Sequence, residues 1–240
     1  MTQPSTAANQ MPGVEIPSQG AALLDFFNRC LSPRTIVRED GLVVYRNRPK
    51  WAVFDVLPEE QVGKSLLELE PREVMVERVE LMKQLAREER DGLVRTICSG
   101  RQFITHLYLL PASPGQDLRF FVAVTEQALG QQQGADGIPL HEPTHQDLGP
   151  LRKLSPRELE VLAMVGQGLR AAVIAQRLHR SVDTIKGHKA ALLKKLNCAN
   201  FVQLALIAHT AGLKVEDSAR YATRRRGNDG TVDASADHEP

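Results

Sequence analysis

His141-Glu142-Pro143-Thr144-His145 sets two imidazoles four residues apart with a carboxylate between them. On a helix this spacing puts both rings on one face, where they can hold zinc while the glutamate activates a metal-bound water. Pro143 falls inside the required turn, Pro139 precedes it, and a proline at 143 turns Glu142 away from helical angles. No metal site is read here. Cys98 and His106 are the residues of the N-terminal half that could touch a flavin or haem. No flavin-adduct motif surrounds the cysteine, and a lone histidine on a strand is usually structural. The histidines gather in 141–145 and in the C-terminal basic segment, so no Ser/His/Asp or Cys/His grouping forms. No catalytic residue, metal or cofactor is assigned, and no enzyme activity is expected.

Recognition of a polyanion is a second kind of chemistry. Residues 151–214 carry 11 Lys and Arg against 3 Asp and Glu. Residues 1–150 carry 15 against 20, and the stretch from Val215 carries 4 against 6, so the net charge of +1 hides one strongly basic segment. Such asymmetry is the electrostatic footprint of a nucleic-acid-binding module. The competing account is a solvated basic surface. Cys30, Cys98 and Cys198 include no C-x-x-C pair, so neither a disulfide framework nor a zinc knuckle is indicated and a reducing cytoplasm fits. The opening MTQPSTAANQ lacks the basic and apolar parts of a secretory signal. No run reaches the ~18 apolar residues of a membrane span. A soluble, cytoplasmic protein without a membrane partner is expected.

The elements that would position these residues fall into two halves. Residues 1–19, rich in Gln, Pro, Ser and Thr, read as a disordered lead-in. Ala21 to Leu31 has helical spacing. Thr35–Arg38 and Leu42–Tyr45 flank Glu39-Asp40-Gly41 as a hairpin. A short helix is expected near Lys50–Val56, with a turn at Leu57-Pro58. Arg72 to Ser99 is helical in composition, with Val79, Met82 and Leu85 on one stripe and a break at Asp91-Gly92. Gln102–Leu110 and Leu118–Thr125 are β-rich. These runs make 20–127 one α+β domain, an antiparallel sheet with helices. Residues 128–149 lack periodicity and read as a linker.

From Leu154 the signals are explicit. Ser155-Pro156-Arg157-Glu158 is a capping box with proline at the first helical position, and Leu154 and Leu159 are its hydrophobic staple. Leu159, Leu162 and Val165 line one face of this helix, which ends near Gly166 and Gly168. A second helix, Ala171–Leu178, buries Ile174 and Leu178. His179-Arg180 turns the chain and Ser181 caps a third helix, with Asp183 in its first turn. Ile185, Leu192 and Leu196 share a face of that helix. The fourth helix, about Asn200–Ala211, carries Phe201, Leu204 and Ala208 and stops at Gly212. Residues 150–214 are thus an all-α module of four helices, and 215–240 read as a disordered tail that includes Arg224–Arg226.

The run LSPRELEVLAMVGQG, followed by Ile174-Ala175, Leu178, Ser181, Thr184-Ile185-Lys186, His188, Lys195-Leu196 and Gly212-Leu213, resembles the LuxR-type (GerE) helix-turn-helix domain. The resemblance implies a dimerising domain whose third helix enters the major groove of double-stranded DNA. It puts Lys186 where many relatives read a base edge. Gly187, which helix stability disfavours by ~1 kcal/mol against alanine, and Ala190 would allow close approach and methyl contacts. Arg170, Arg177, Lys194 and the capped start at Ser181, with Thr184, complete the expected DNA-binding set. The fourth helix, through Phe201, Leu204 and Ala208, would dimerise. This sequence departs from the family in three places. Arg170-Ala171-Ala172-Val173 replaces a polar helix start, Arg180 stands where an apolar residue is common, and Phe201 stands where Arg is common.

In the first half, Asp40-Gly41 with Tyr45 and Asn47, the loop Pro58–Ser65 and the exit Val124-Thr125-Glu126 resemble a PAS domain. Two long β runs follow the central helices where a PAS sheet has three strands. Either Arg101–Thr105 is a cramped third strand or the sheet is reduced. PAS domains sense ligands or pair with one another, and which applies here stays open. The expectation is a multidomain transcription regulator, a homodimer on double-stranded DNA with RNA polymerase a candidate partner. Its rivals are an N-terminal domain that only dimerises, and a protein-interaction adapter whose degenerate helix-turn-helix no longer binds DNA.

Overall fold

The computed structural model describes residues 18–47, 61–69, 72–112, 115, 117–130, 134 and 137–218. The chain divides between Gly149 and Pro150 into two compact units. The helix and turn expected over Lys50–Pro58, residues 1–17, and the basic run Arg224–Arg226 lie outside the described residues. Among the described residues, no helix is long and apolar enough to cross a membrane.

In the first unit α1 (Ser18–Arg29) leads into β1 (Arg34–Arg38) and β2 (Val43–Arg46). Then come α2 (Arg72–Arg87), β3 (Gly92–Cys98), β4 (Arg101–Leu109), β5 (Phe120–Gln127) and the short β6 (Leu140–His141). The sheet order is β2-β1-β5-β4-β3-β6. The first five strands pair antiparallel, and β6 runs parallel to β3. Successive residues of a strand face opposite sides, so Phe121 and Val122 belong to different cores. Phe121 packs with Val79, Met82 and Leu85 of α2. Val122 packs with Leu24 and Phe27 of α1 and with Tyr45.

The hairpin residues singled out in the sequence do local work. Asp40 pairs with Arg38 at 2.6 Å and accepts a hydrogen bond from the Leu42 amide. The hydrogen bond from Arg38 holds the Asp40 carboxyl below its ordinary pKa. Gly41 adopts φ +95° and lies so near α2 that a Cβ would meet Val79 Cγ2 at 2.8 Å, so only glycine fits the turn. Asn47, fully buried, donates to the carbonyls of Phe27 and Ser32 and accepts from the Arg34 amide at 2.7 Å. The Tyr45 hydroxyl donates to Asn28 of α1 at 2.9 Å. Together Tyr45 and Asn47 fasten α1 to the hairpin.

Three sequence expectations change. The helical composition of Arg72–Ser99 holds only as far as Arg87, and Gly92–Cys98 is strand β3. All seven of its residues are buried. A strand covered on both faces loses the alternation by which strands are recognised. Three antiparallel strands, β3 to β5, therefore follow α2 before the short β6, and Arg101–Thr105 belongs to the nine-residue β4. Next, the stretch 128–149 is not a free linker over 137–149, since β6 joins the sheet and Gln146 and Asp147 bond to β3 and the turn after it. Finally, the described residues at the edges of the two end stretches are ordered. Helix α1 starts at Ser18, and beyond Lys214 Asp217 is buried and accepts from the Lys214 amide at 2.9 Å.

A 3-10 turn, Gly149–Lys153, leads into the second unit, which continues with α3 (Pro156–Gly166), α4 (Ala171–Arg177), α5 (Val182–Lys195) and α6 (Phe201–Ala211). The capping box at Ser155 and Glu158 is formed in both directions, and Leu154 and Leu159 are buried beside it. Asn200 caps α6, and Gly212 ends it in the left-handed conformation at φ +57°. The inward residues are Leu162, Ile174, Ile185, Leu192, Leu204 and Ala208. Leu178 and Leu196 are half-buried.

Candidate nucleic-acid interface

Helices α4 and α5 are joined by four residues, Leu178 to Ser181. His179 takes φ +49° and the Arg180 amide returns to the Ala175 carbonyl at 2.9 Å, which closes α4 sharply. Ser181 starts α5 by accepting from the Thr184 amide at 3.1 Å, and its hydroxyl also bonds the Thr184 hydroxyl at 2.8 Å. The start of α4 is different. Arg170 occupies its cap position and makes no side-chain cap hydrogen bond.

Two consecutive residues of α3 brace this pair of helices. Arg157 donates to the Leu178 carbonyl at 2.9 Å, holding the end of α4. Glu158 accepts from Lys195 at 2.7 Å, holding the end of α5, and from the Ser155 amide. Burial alone would raise the Glu158 pKa, but the bonds from Lys195 and Ser155 outweigh it and hold it below the ordinary glutamate value. A depressed carboxylate contributes stability that is full above its unfolded pKa, about 4.3, and lost as pH falls through the folded value. We therefore expect Glu158→Gln to melt below the wild type at neutral pH. The gap should narrow as pH falls below about 4.3 and through the lowered folded value, as thermal scans over the acid range would read. A constant gap would remove the ion pair as its cause.

The exposed face of the braced pair is polar and basic. Arg170 and Arg177 on the α4 side, and Ser181, Thr184, Lys186, Gly187, Ala190 and Lys194 on α5, are all exposed. The eight residues expected at the interface thus share exposure to solvent, while Ile185 and Leu192 turn inward. Lys186 pairs with Asp183 one turn earlier at 3.0 Å, which leaves two of its three N–H donors for another acceptor. Among the described residues, none comes within 4 Å of a Cβ built at Gly187. The model for bacterial regulatory proteins of the luxR family (GerE) matches residues 152–208. Residues 152–208 form a LuxR-family helix-turn-helix domain.

Over 48 residues the chain is 44% identical to the oxygen regulatory protein NreC of Staphylococcus carnosus, covering 20% of this chain and 22% of NreC. Over 59 residues it is 36% identical to the nitrate/nitrite response regulator protein NarL of Escherichia coli K12, covering 25% of this chain and 27% of NarL. The chain thus spans about a quarter of the length of the curated relatives it matches. Among solved structures it is similar to the VqmA–ligand–DNA complex from Vibrio cholerae, with 15% identity and a TM-score of 0.46. That likeness covers 85% of this chain and 93% of VqmA.

Within the LuxR-family domain, the expected dimerising stripe is corrected. Leu204 and Ala208 are buried in the unit's own interior, and of the three residues only Phe201 is exposed. Besides Phe201, α6 presents Val202, 76% exposed, and Leu206, 61% exposed, to solvent. Phe201 also takes Lys189 over its ring, 4.6 Å from the centroid. The brace residues Arg157 and Glu158 escaped the sequence reading because their partners lie 21 and 37 positions away. The capping role of Glu158 was visible; its bond to Lys195 was not.

The H-E-x-x-H residues lie on β6 and the chain after it, not on a helix. His145 pairs with Glu77 of α2, and Glu142 faces Arg95 at 3.8 Å. Both partners bind the segment to the first unit. Cys98 is buried at the end of β3, and His106 stacks on Tyr108 with ring centroids 5.8 Å apart.

Proposed function

We propose that the protein is a cytoplasmic transcription regulator that binds double-stranded DNA as a homodimer, with a PAS-like N-terminal domain as its input. The observation that carries this reading is the exposed basic face of α4 and α5 within a LuxR-family domain. A helix capped at Ser181 and braced at Lys195, with small residues at Gly187 and Ala190 and donors on either side, fits a major groove. Lys186 reads a base edge. Arg170, Arg177, Lys194 and the free amides at the start of α5 hold phosphates. The PAS-like reading is supported by the strand order β2-β1-β5-β4-β3 with α2 between β2 and β3, and by the structural duties of Asp40, Gly41, Tyr45 and Asn47. The outward face of α6, through Val202 and Leu206, supplies the dimer contact.

Competition binding by the full chain over a pool of randomised duplexes tests the reading. Lys186→Ala should relax preference at one position of each half-site, since a good base contact discriminates by about 1–3 kcal/mol. Arg177→Ala should weaken all sequences alike and flatten the salt dependence by about one counterion. If Lys186→Ala keeps the preferred site and Arg177→Ala rewrites it, the two roles are reversed. Absence of binding to any duplex would instead favour an adapter.

A further inference from the structure

The residues just before the LuxR-family domain are bolted to the first unit in two places. Along β3, Leu140 and His141 pair in parallel with Leu93 and Val94. The Ile97 amide donates to Gln146 Oε1 at 2.6 Å, the Asp147 amide returns to the Ile97 carbonyl at 2.9 Å, and the Ser99 amide donates to Asp147 Oδ2 at 2.9 Å. Along α2, one carboxylate gathers three contacts. Glu77 accepts from the amides of Thr144 at 2.6 Å and His145 at 3.2 Å, and it pairs with the His145 ring. The end of the segment is pressed close as well, since a Cβ on Gly149 would lie 2.7 Å from the Ser99 carbonyl carbon.

We propose that residues 140–149 are a detachable strap, latched by Glu77, whose docking sets the length of tether between the N-terminal unit and the DNA-binding domain. The proposal rests on the DNA-binding reading above. Docked, the strap holds the chain to the sheet and α2 as far as Gly149, the last residue of the first unit. Released, about ten residues become slack chain, with a root-mean-square reach of roughly 17 Å. In a dimer, slack tethers dilute the second DNA-binding domain around its half-site after the first has bound. Glu77 lies on the helix whose Val79 and Met82 fill the core against the sheet, so any input that shifts α2 also shifts the latch.

Hydrogen exchange and DNA binding on the full chain test this together, using duplexes that the wild type selects from a random-sequence pool. Glu77→Ala should speed exchange of the Thr144, His145 and Asp147 amides at least roughly tenfold, because local opening sets that rate. It should weaken binding to two-half-site duplexes about fivefold or more and leave single half-site binding unchanged. Unchanged exchange overturns the latch. Faster exchange with unaltered two-half-site affinity overturns the tether role. If the wild type binds no duplex, the DNA-binding reading itself fails and the strap's role falls with it. Should Glu77→Ala fail to fold, His145→Ala removes only the ring contact and should shift both readouts the same way, with an unaltered circular dichroism spectrum.

Discussion

Gly166→Ala is expected to lower the melting temperature of the LuxR-family unit by roughly 10 °C, given about 4–8 °C per kcal/mol for a domain of this size. Two effects compete at this position. Alanine is the better helix former by about 1 kcal/mol. Its Cβ, however, would stand 2.6 Å from the Ala208 carbonyl oxygen and 2.9 Å from the carbonyl carbon. These are backbone atoms of α6, which cannot turn aside as a side chain can. Relief requires α3 and α6 to separate, and overpacking of this kind costs about 1–3 kcal/mol or more. The clash wins. The same substitution at Gly187 meets open space among the described residues. Gly187→Ala should therefore raise the melting temperature by a few degrees, about 1 kcal/mol. Under the proposed function it should also weaken DNA binding, since the methyl group occupies the side that approaches the groove. Calorimetry on both variants reads the contrast directly. A Gly166→Ala chain as stable as wild type would mean that the α3–α6 contact is looser than described.

What the sequence made legible was local. The Ser155–Glu158 box, the Ser181 cap and the Gly212 stop are written in four or five consecutive residues, and each forms as expected. The stripe of Val79, Met82 and Leu85 was legible because α2 covers one side of a sheet and keeps its other side polar. β3 was not, because burial on both faces, which takes in Arg95 and Thr96 along with Leu93, Val94 and Ile97, erases the alternation by which a strand is recognised. The strap at 140–149 was not legible either. It is held by single side chains reaching backbone amides, such as Gln146 to Ile97, and such bonds leave no periodic trace. The exposed side of α5 was readable because Ile185 and Leu192 mark the side that turns inward. The contacts that brace it, Arg157 to Leu178 and Glu158 to Lys195, join positions distant in sequence and needed the fold.

α6 sets the hardest case, and it separates core from interface. Phe201, Val202, Leu204, Leu206 and Ile207 give it apolar residues on all sides, so spacing alone cannot say which side turns inward. The structure puts Leu204, Ala208 and Ala211 inside, and leaves Val202 and Leu206, four residues apart on one face, in solvent. Leu204→Arg should therefore unfold the unit rather than merely part a dimer. A charge forced into the interior without a partner costs several kcal/mol, of the order of the whole stability of a small domain. Leu206→Arg should leave the melting temperature within about 4 °C of wild type, as exposed substitutions usually change stability by less than about 0.5 kcal/mol. If the outward face of α6 pairs two copies, Leu206→Arg brings two arginines together at that contact. It should then shift sedimentation towards monomer and weaken two-half-site duplexes more than single half-sites. Because the first unit could also pair, the variant's effect on DNA binding is read alongside its mass. A Leu206→Arg chain that stays dimeric and binds two-half-site duplexes like wild type would remove α6 as the interface and move dimerisation to the N-terminal unit.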